Sequence, residues 1–268
     1  MSLARATRSE LTKLYSTAIW WILAIVLVVY VGFVSTFLGF VLSSSSTGSA
    51  LSESSSEVPA TLYSLASSIG YVFPLLIGTL IVTGEFRHKT LTPTFLATPA
   101  RGTVLWAKLL ASTTLGLLYG VLALLVTVGP IAGLLAAHGL PTGLGSSDTW
   151  ALVGRILLVF VLWTWVGLGL GTLIRNQVAA IVVVLAFTQF IEPLLRLGTM
   201  FVSWLQDVGR FLPGAASDQL VGSSVLTLGQ GGASPDPLTW YAAAIVLAAY
   251  AFALLLLGHI FSWRRDVA

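Results

Sequence analysis

The stretch that decides the fold is residues 18–42, which read Ala-Ile-Trp-Trp-Ile-Leu-Ala-Ile-Val-Leu-Val-Val-Tyr-Val-Gly-Phe-Val-Ser-Thr-Phe-Leu-Gly-Phe-Val-Leu and contain no charged side chain. About twenty apolar residues, each rising about 1.5 Å, are needed to cross a hydrocarbon core of about 30 Å. A cleavable signal sequence has an apolar region of only about 7–15 residues. We therefore predict that this longer run stays in the membrane as a transmembrane helix.

Further apolar segments of similar length follow along the chain. The six predicted spans are residues 18–42, 62–83, 109–136, 150–174, 178–197 and 238–261. The fifth span qualifies only if Glu192, Pro193 and Arg196 lie near its outer end, because charges at the bilayer centre are costly. The composition agrees, since 56% of the residues are hydrophobic and 9% are charged, against about a quarter charged in soluble domains. The predicted fold class is an all-α integral membrane protein with six transmembrane helices.

The basic residues predict the orientation, because short loops rich in Lys and Arg stay in the cytoplasm. With the N-terminus inside, ten of the thirteen basic residues fall on the inner side. They are Arg5, Arg8, Lys13, Arg87, Lys89, Arg101, Lys108, Arg175, Arg264 and Arg265. We therefore expect a multi-pass protein of a bacterial plasma membrane with both termini in the cytoplasm, and we expect no nucleic-acid partner for these dispersed charges.

Two segments outside the spans also have a predicted structure. Residues 3–15 place Leu3, Leu11 and Leu14 on one helical face and basic residues on another, which predicts a helix lying in the membrane interface. A basic flank that only orients the first span is an equally plausible interpretation. Residues 198–236 are too apolar for a solvated loop and too interrupted to span. They predict short re-entrant helices on the outer side, packed against other helices.

The connection over residues 84–108 has the most informative sequence. Residues 84–101 read Gly-Glu-Phe-Arg-His-Lys-Thr-Leu-Thr-Pro-Thr-Phe-Leu-Ala-Thr-Pro-Ala-Arg. Thr90, Leu91, Thr94 and Phe95 recur at helical spacing, and Pro99 is typical of a helix stop. This pattern predicts a short helix on the cytoplasmic surface. By periodicity alone, an ordinary interfacial loop and a docking surface are both open.

This connection resembles the first cytoplasmic loop of type II ABC exporter permeases. The similarity lies in an acidic residue, an aromatic residue, a basic residue and a Thr that open the loop, followed by a Pro-x-Arg pair. The corresponding residues here are Glu85, Phe86, Arg87, Thr90, Pro99 and Arg101. The number of spans, the amphipathic N-terminal helix and the long outer segment after the fifth span also resemble that family.

The resemblance implies a coupling helix inserted into a cleft of a separate ATP-binding-cassette ATPase subunit. It also implies a second permease subunit, in a homodimer or heterodimer, with ATP and Mg bound at the ATPase. Glu85 and Arg87 are then expected to pair with charges of the partner, and Phe86 and Phe95 to fill its pocket. Charge reversal at Glu85 or Arg87 is expected to uncouple ATP hydrolysis from transport in a folded subunit.

The chain itself offers no nucleotide, metal or catalytic motif. The phosphate-binding pattern needs Gly-Lys-Ser/Thr, and none of Lys13, Lys89 and Lys108 follows a Gly. Cysteine is absent, and the three histidines, His88, His138 and His259, stand far apart in sequence. We therefore expect no enzyme activity, cofactor or metal in this subunit.

Several residues within the spans have two interpretations each. Trp20, Phe187, Phe190 and Glu192 are candidates for a substrate path, although aromatic residues in spans are more often packing or interfacial anchors. Glu192 and Arg196 are four residues apart, so they can instead form a structural ion pair. The pairs Gly116/Gly120 and Gly167/Gly171 have the spacing for close helix approach, more often within one subunit than at a dimer seam.

Two other classes of function remain as alternatives. An ion-coupled secondary transporter would place ionisable residues near the membrane midplane, whereas Glu192 and His259 are predicted near span ends. An intramembrane enzyme would need a nucleophile with a base, or a metal pair. For an exporter, the substrate is open among a drug, as in multidrug efflux, a peptide, a lipid-linked glycan and a small ion.

Overall fold

The structure is a computed structural model that describes residues 2–44, 58–97, 100–199, 201, 207–222 and 238–263. All regular elements within these ranges are helical. In chain order they are α1 (Leu3–Ser16), α2 (Ile19–Ser44), α3 (Val58–Tyr63), α4 (Leu65–Gly70), α5 (Val72–Arg87), α6 (Leu91–Ala97), α7 (Arg101–Ala137), α8 (Ser147–Leu173), α9 (Gln177–Ala186), α10 (Glu192–Gly198), α11 (Pro213–Val221) and α12 (Trp240–Gly258). Turns of π-helix at Phe187–Ile191 and His259–Trp263 join α9 to α10 and extend α12.

Six helical segments in the described part of the chain are long and apolar enough to cross a membrane. They are Ile19–Val41, Val58–Arg87, Arg101–Ala137, Ser147–Leu173, Gln177–Gly198 and Trp240–Phe261. The prediction of an all-helical fold with six segments long and apolar enough to span a membrane is thereby confirmed. The second and third segments run further than the sequence predicts, so that only residues 88–100 connect them. Most of the predicted first outer loop and about half of the segment 198–236 lie outside the described residues.

The second and fourth spans form the buried centre of the bundle, with the other four around them. The second and fourth spans are in close backbone contact at glycines. A Cβ added at Gly167 would overlap the carbonyl oxygen of Leu75, and a Cβ added at Gly78 would overlap that of Thr164. At Gly171 an added Cβ would lie 2.6 Å from the Thr79 oxygen. Gly116 and Gly120 meet α8 in the same way. Both predicted glycine pairs therefore serve contacts within one chain.

The fifth span is irregular because of Pro193. Proline has no backbone N–H and removes the bond to the carbonyl four residues earlier, at Gln189. The π-helical turn Phe187–Ile191 lies at this point, and such turns are frequent at functional sites. Asn176 begins the span, with its side-chain oxygen accepting hydrogen bonds from the Val178 and Ala179 amides at 2.9 and 3.1 Å. Helix α9 thus starts immediately after the fourth span.

Helix α11 lies in the predicted outer segment. It packs along α12 and contacts α4 and α8. The Trp163 indole N–H of α8 donates a 3.1 Å hydrogen bond to Ser217 of α11, and Gln219 accepts one of 2.8 Å from the Leu238 amide. Helix α11 is therefore attached to the bundle by polar contacts as well as by apolar packing.

Candidate functional site

The second span ends at a helix cap that contains Lys89. The Thr90 amide donates to the Glu85 carbonyl at 3.0 Å, and the Lys89 amide donates to the Phe86 carbonyl at 3.3 Å. These two bonds form a Schellman motif, whose left-handed position is usually Gly. Here Lys89 occupies that position with φ 54°, whereas Gly139 and Gly222 occupy left-handed positions elsewhere in the chain. Helix α6 begins two residues after Lys89, at Leu91.

Four charged side chains meet beneath this turn, and we name them the four-residue ion cluster. They are Glu10 of α1, Lys13 of α1, Glu85 of α5 and Lys108 of α7. The Lys108 ammonium lies 2.6 Å from Glu10 Oε2 and 2.7 Å from Glu85 Oε1. The Lys13 ammonium lies 2.6 Å from Glu10 Oε1 and 3.2 Å from Glu85 Oε1. The two positive and two negative charges therefore balance within the cluster.

Lys13 also connects this cluster to α6. Its ammonium donates a 3.1 Å hydrogen bond to the Thr94 hydroxyl. The Lys108 side chain is 1% exposed, and that of Lys13 is 37% exposed. Helices α1, α5, α6 and α7 are therefore joined at one point, with Lys108 inside and Lys13 at the rim.

The cluster changes the acidity of its members. Burial by itself would raise the pKa of Glu10, but the ammonium groups of Lys108 and Lys13 outweigh burial and hold this pKa below its ordinary value of 4.5. Burial would likewise lower the pKa of Lys13, but Glu85 and Glu10 outweigh it and raise this pKa above 10.5. Both groups are therefore charged throughout the physiological range of pH.

Helix α6 has one face against the bundle and one face free. Leu91 is 1% exposed, whereas Leu96 is 79% exposed. Phe95 is partly buried against the core, and the Arg101 guanidinium lies 5.3 Å from the centroid of its ring. Among the described side chains of this helix, Leu96 is therefore the exposed large hydrophobic one. Sequence periodicity did not single it out, because Phe95 and Leu96 are adjacent and either could have faced outward.

The residues predicted for coupling have different environments. Glu85 is 8% exposed and forms ion pairs with Lys13 and Lys108 of its own chain. It is therefore not exposed for pairing with charges of a partner, contrary to the prediction from the sequence. The reason is that the second span continues to Arg87, which places Glu85 inside the helix bundle. Phe86 is partly buried against the core. Arg87 is exposed and donates to Gln177 Oε1 at 3.3 Å. Thr90 is exposed, and Pro99 lies outside the described residues.

Helix α1 packs through a face that the sequence pattern did not single out. Its buried residues are Ala6 and Glu10, which face α7. Leu3 of the predicted apolar face is 44% exposed, and Leu11 and Leu14 are partly exposed. The helix therefore attaches to the bundle through the buried Ala6 and through the ion pairs of Glu10 and Lys13, and it keeps part of its apolar surface exposed.

A second ionic site lies far from the first, and we name it the Glu192 site. Arg196 Nη2 is 3.1 Å from Glu192 Oε1, and Arg196 Nη1 is 2.6 Å from Asp218 Oδ2 of α11. The predicted ion pair between Glu192 and Arg196 is thus present. Ser68 Oγ lies 3.4 Å from Asp218. Because Ser68 and Glu85 are 17 residues apart along the second span, at about 1.5 Å per residue, the two sites are separated by roughly 25 Å.

The residues predicted for a substrate path do not come together. The Trp20 indole donates to the Tyr15 carbonyl at 3.2 Å, beside α1. Glu192 lies in the fifth span, beside α11 and far from α1. Phe190 is 74% exposed on the outside of the bundle, and Phe187 is partly buried. The Trp20 hydrogen bond connects the start of α2 to α1, and the Phe190 ring is exposed on the outside of the bundle.

The described residues contain no group of three or more His, Asp or Glu side chains that could hold a metal ion. No protein-family model matches the chain, and the comparison with curated proteins found no match. What defines the class of protein is the fold, in which six helices long and apolar enough to cross a membrane carry two buried ionic sites roughly 25 Å apart.

Proposed function

We propose that this chain is the membrane-spanning permease subunit of an ATP-binding-cassette exporter, in which the short helix α6 couples it to a separate ATPase subunit. The proposal includes both termini and α6 on the cytoplasmic side, and a second permease subunit in the assembly. The observation that carries it is α6 itself. This helix is held between the second and third spans with its Leu96 face free, and it lies within the segment 84–101 that resembles the coupling loop of type II permeases.

The surface of α6 suits a protein partner. Leu96 supplies an exposed apolar group, and the turn that leads into α6 carries the exposed polar and cationic side chains Arg87, His88 and Lys89. Apolar anchors within a charged rim are typical of binding sites, since the anchor supplies affinity and the rim guides the approach. The left-handed Lys89 supports the same interpretation, because strained backbone positions cluster at functional sites.

The four-residue ion cluster would transmit movement of α6 into the membrane. It joins α6 to α1, α5 and α7 through Thr94, Lys13 and Lys108. A partner that pushes on α6 would therefore displace the second and third spans together, as in rigid-body domain movements. Glu85 acts in this transmission and not in direct contact with the partner. Its charge reversal would place a third cation beside two lysines, so the fold itself would be affected.

The proposal is tested with the tagged full chain purified from its native membranes. We expect a vanadate-sensitive ATPase to co-purify with the wild-type chain. We expect Leu96→Glu to lower the recovered ATPase at least about tenfold, the change that follows from about 1.4 kcal/mol of lost binding. Leu144→Glu is the matched control, because Leu144 is a 40% exposed leucine outside the six spans. Equal recovery in both variants, or none with the wild type, would contradict the assignment.

Orientation is tested separately with single cysteines, which is direct because the chain has no cysteine of its own. A membrane-impermeant maleimide applied to intact cells should label Leu144→Cys and leave Leu96→Cys unlabelled. Inside-out vesicles should give the reverse. Labelling of Leu96→Cys from outside the cell would place α6 on the wrong side for an ATP-driven partner.

A second candidate function is an ion-coupled secondary transporter. The observation in its favour is Glu192, an ionisable side chain that is buried within the fifth span, where such residues often belong to ion pathways. Reconstituted vesicles discriminate the two candidates. Solute movement driven by an ion gradient, with the purified chain alone and without ATP, would support this alternative.

A further inference from the structure

The Glu192 carboxyl group has only one of its two oxygens engaged. Glu192 is 1% exposed. Its Oε1 accepts a 2.5 Å hydrogen bond from the Gly214 amide of α11 and a 3.1 Å bond from Arg196 Nη2. Its Oε2 is buried and has no hydrogen-bond partner among the described residues. One buried oxygen of a carboxyl group is thus left without a donor.

The polar side chains around Glu192 do not donate to Oε2, and the Arg196 Nε–H is itself buried without a hydrogen-bond partner among the described residues. They come from the neighbouring α10, α11 and α12 and from the turn before α5: Arg196, Asp218, Tyr250 and Tyr71. The Tyr71 hydroxyl donates to the Thr188 carbonyl at 3.3 Å, and that of Tyr250 to the Phe211 carbonyl at 3.2 Å. Arg196 uses Nη1 for Asp218 and Nη2 for Oε1. None of these groups supplies a hydrogen to Oε2.

A buried, ionised carboxylate with an unsatisfied oxygen is unstable unless something neutralises it. Burial without a compensating partner disfavours the charged form, and the usual response is to take up a proton. Oε2 is also closed to solvent, so neither a water molecule nor a larger cation touches it in this arrangement. A proton is the one ligand that fits without rearrangement of the surrounding helices.

The four-residue ion cluster provides a contrast within the same chain. There Glu10 and Glu85 share two ammonium groups, and both lysines lie within 3.2 Å of each carboxyl group. Glu192 meets a single guanidinium that also binds Asp218. Charge compensation is therefore weaker at Glu192 than at Glu10.

We propose that Glu192 is a proton-binding site, in which Oε2 carries the proton while Oε1 holds the Gly214 amide and fastens α11 to the fifth span. Uptake converts the carboxylate and one proton from water into the neutral acid. The proton returns to water when α11 and α10 separate and Oε2 becomes accessible. Glu192 would bind the proton whether or not the chain works with an ATPase.

The test is infrared spectroscopy of the purified full chain in lipid, in heavy water at about pH 7, where exposed carboxyl groups are ionised. We expect a C=O band of a protonated carboxyl group in the wild type and its loss in Glu192→Gln. The band should persist in Asp148→Asn, which removes an exposed acid, and in Glu85→Gln, which removes the other buried glutamate with an unpartnered oxygen. Absence of the band in the wild type, or its loss in Glu85→Gln instead, would overturn the proposal.

A second measurement covers the case in which Glu192→Gln does not fold. Wild-type protein is then prepared with isotope-labelled glutamate, which shifts bands of glutamate carboxyl groups and leaves those of aspartate in place. A band that shifts on labelling, and that is also present in labelled Glu10→Gln protein, supports a protonated buried glutamate. A band that does not shift would contradict the assignment to Glu192.

Discussion

Lys108 of α7 forms a 2.6 Å ion pair with Glu10 of α1, although 98 residues separate them in the chain. The same ammonium lies 2.7 Å from Glu85 at the end of the second span. Removing charges from water is costly, and such pairs persist only with close geometry and further hydrogen bonds. The N-terminal helix, the second span and the third span are therefore held together by one buried side chain.

Lys108→Met should destabilise the protein strongly. It leaves Glu10 and Glu85 buried with one ammonium between them, and breaking a buried pair in this way typically costs about 3–5 kcal/mol. Lys13→Met should cost less, because the Lys13 side chain is partly exposed and water can replace it. Thermal unfolding in detergent measures both. Equal midpoints for the two variants would show that Lys108 has no special place in the cluster.

The stabilisation by Glu10 should depend on pH in a defined direction. Its pKa is lower in the folded protein than its ordinary value of 4.5, so its contribution is complete above about pH 4.5 and is lost as the pH falls through the folded value. The contribution of Lys13 to stability has the opposite pH dependence. Because its pKa in the folded protein is raised above the ordinary value of 10.5, this contribution is complete below about pH 10.5 and is lost as the pH rises through the folded value.

The difference in thermal midpoint between wild type and Glu10→Gln should therefore be constant from about pH 6 to about pH 9 and shrink in stronger acid. The comparison with Glu10→Gln removes the effect of the other acidic groups. A difference that grows on acidification would mean that Glu10 is not held ionised by the lysines.

Gly167→Ala should push the second and fourth spans apart. Its new Cβ would meet the backbone oxygen of Leu75, which cannot rotate away, and overpacking of this kind typically costs about 1–3 kcal/mol. Gly133→Ala is the matched control, because a Cβ there meets nothing within 4 Å. Alanine in an open helical position should be neutral or stabilising by up to about 1 kcal/mol. Similar losses in both variants would argue against close contact at Gly167.

Lys89→Gly should stabilise the end of the second span by about 0.5–1 kcal/mol, because glycine accepts the left-handed conformation without the penalty of a Cβ. Lys89→Val should destabilise it, since a β-branched side chain is strained there. Midpoints of thermal unfolding check both. If Lys89→Gly is more stable and yet recovers less ATPase than the wild type, the lysine side chain takes part in partner binding.

The six spans could be predicted because hydropathy and length are local properties. The apolar run that includes Trp20 and Phe33 forms a helix in the membrane whatever its neighbours are. The pairing of Glu192 with Arg196 could also be predicted, because helical geometry alone brings residues four apart together. The glycine spacings were informative for the same reason, since each pair lies on one face of its own helix.

The candidate site could be predicted only in part. The motif around Glu85 predicted a short helix in this connection, and α6 lies there, but the environment of Glu85 depends on where the second span ends. Its helix continues to Arg87, and that extension turns an expected surface charge into a buried one. The exposure of Leu96 in place of Phe95 likewise depends on which face of α6 the bundle covers.

By itself, then, the sequence determined that the chain is a helical membrane protein, how many times it can cross, and which connection has an unusual composition. Only the tertiary structure decided that Glu10, Lys13, Glu85 and Lys108 share one site and that Glu192 keeps an unpartnered oxygen. The reason is physical, because a helix is stabilised by bonds between residues a few positions apart. A buried charge is stabilised by whatever groups the packing of distant helices brings within about 3 Å.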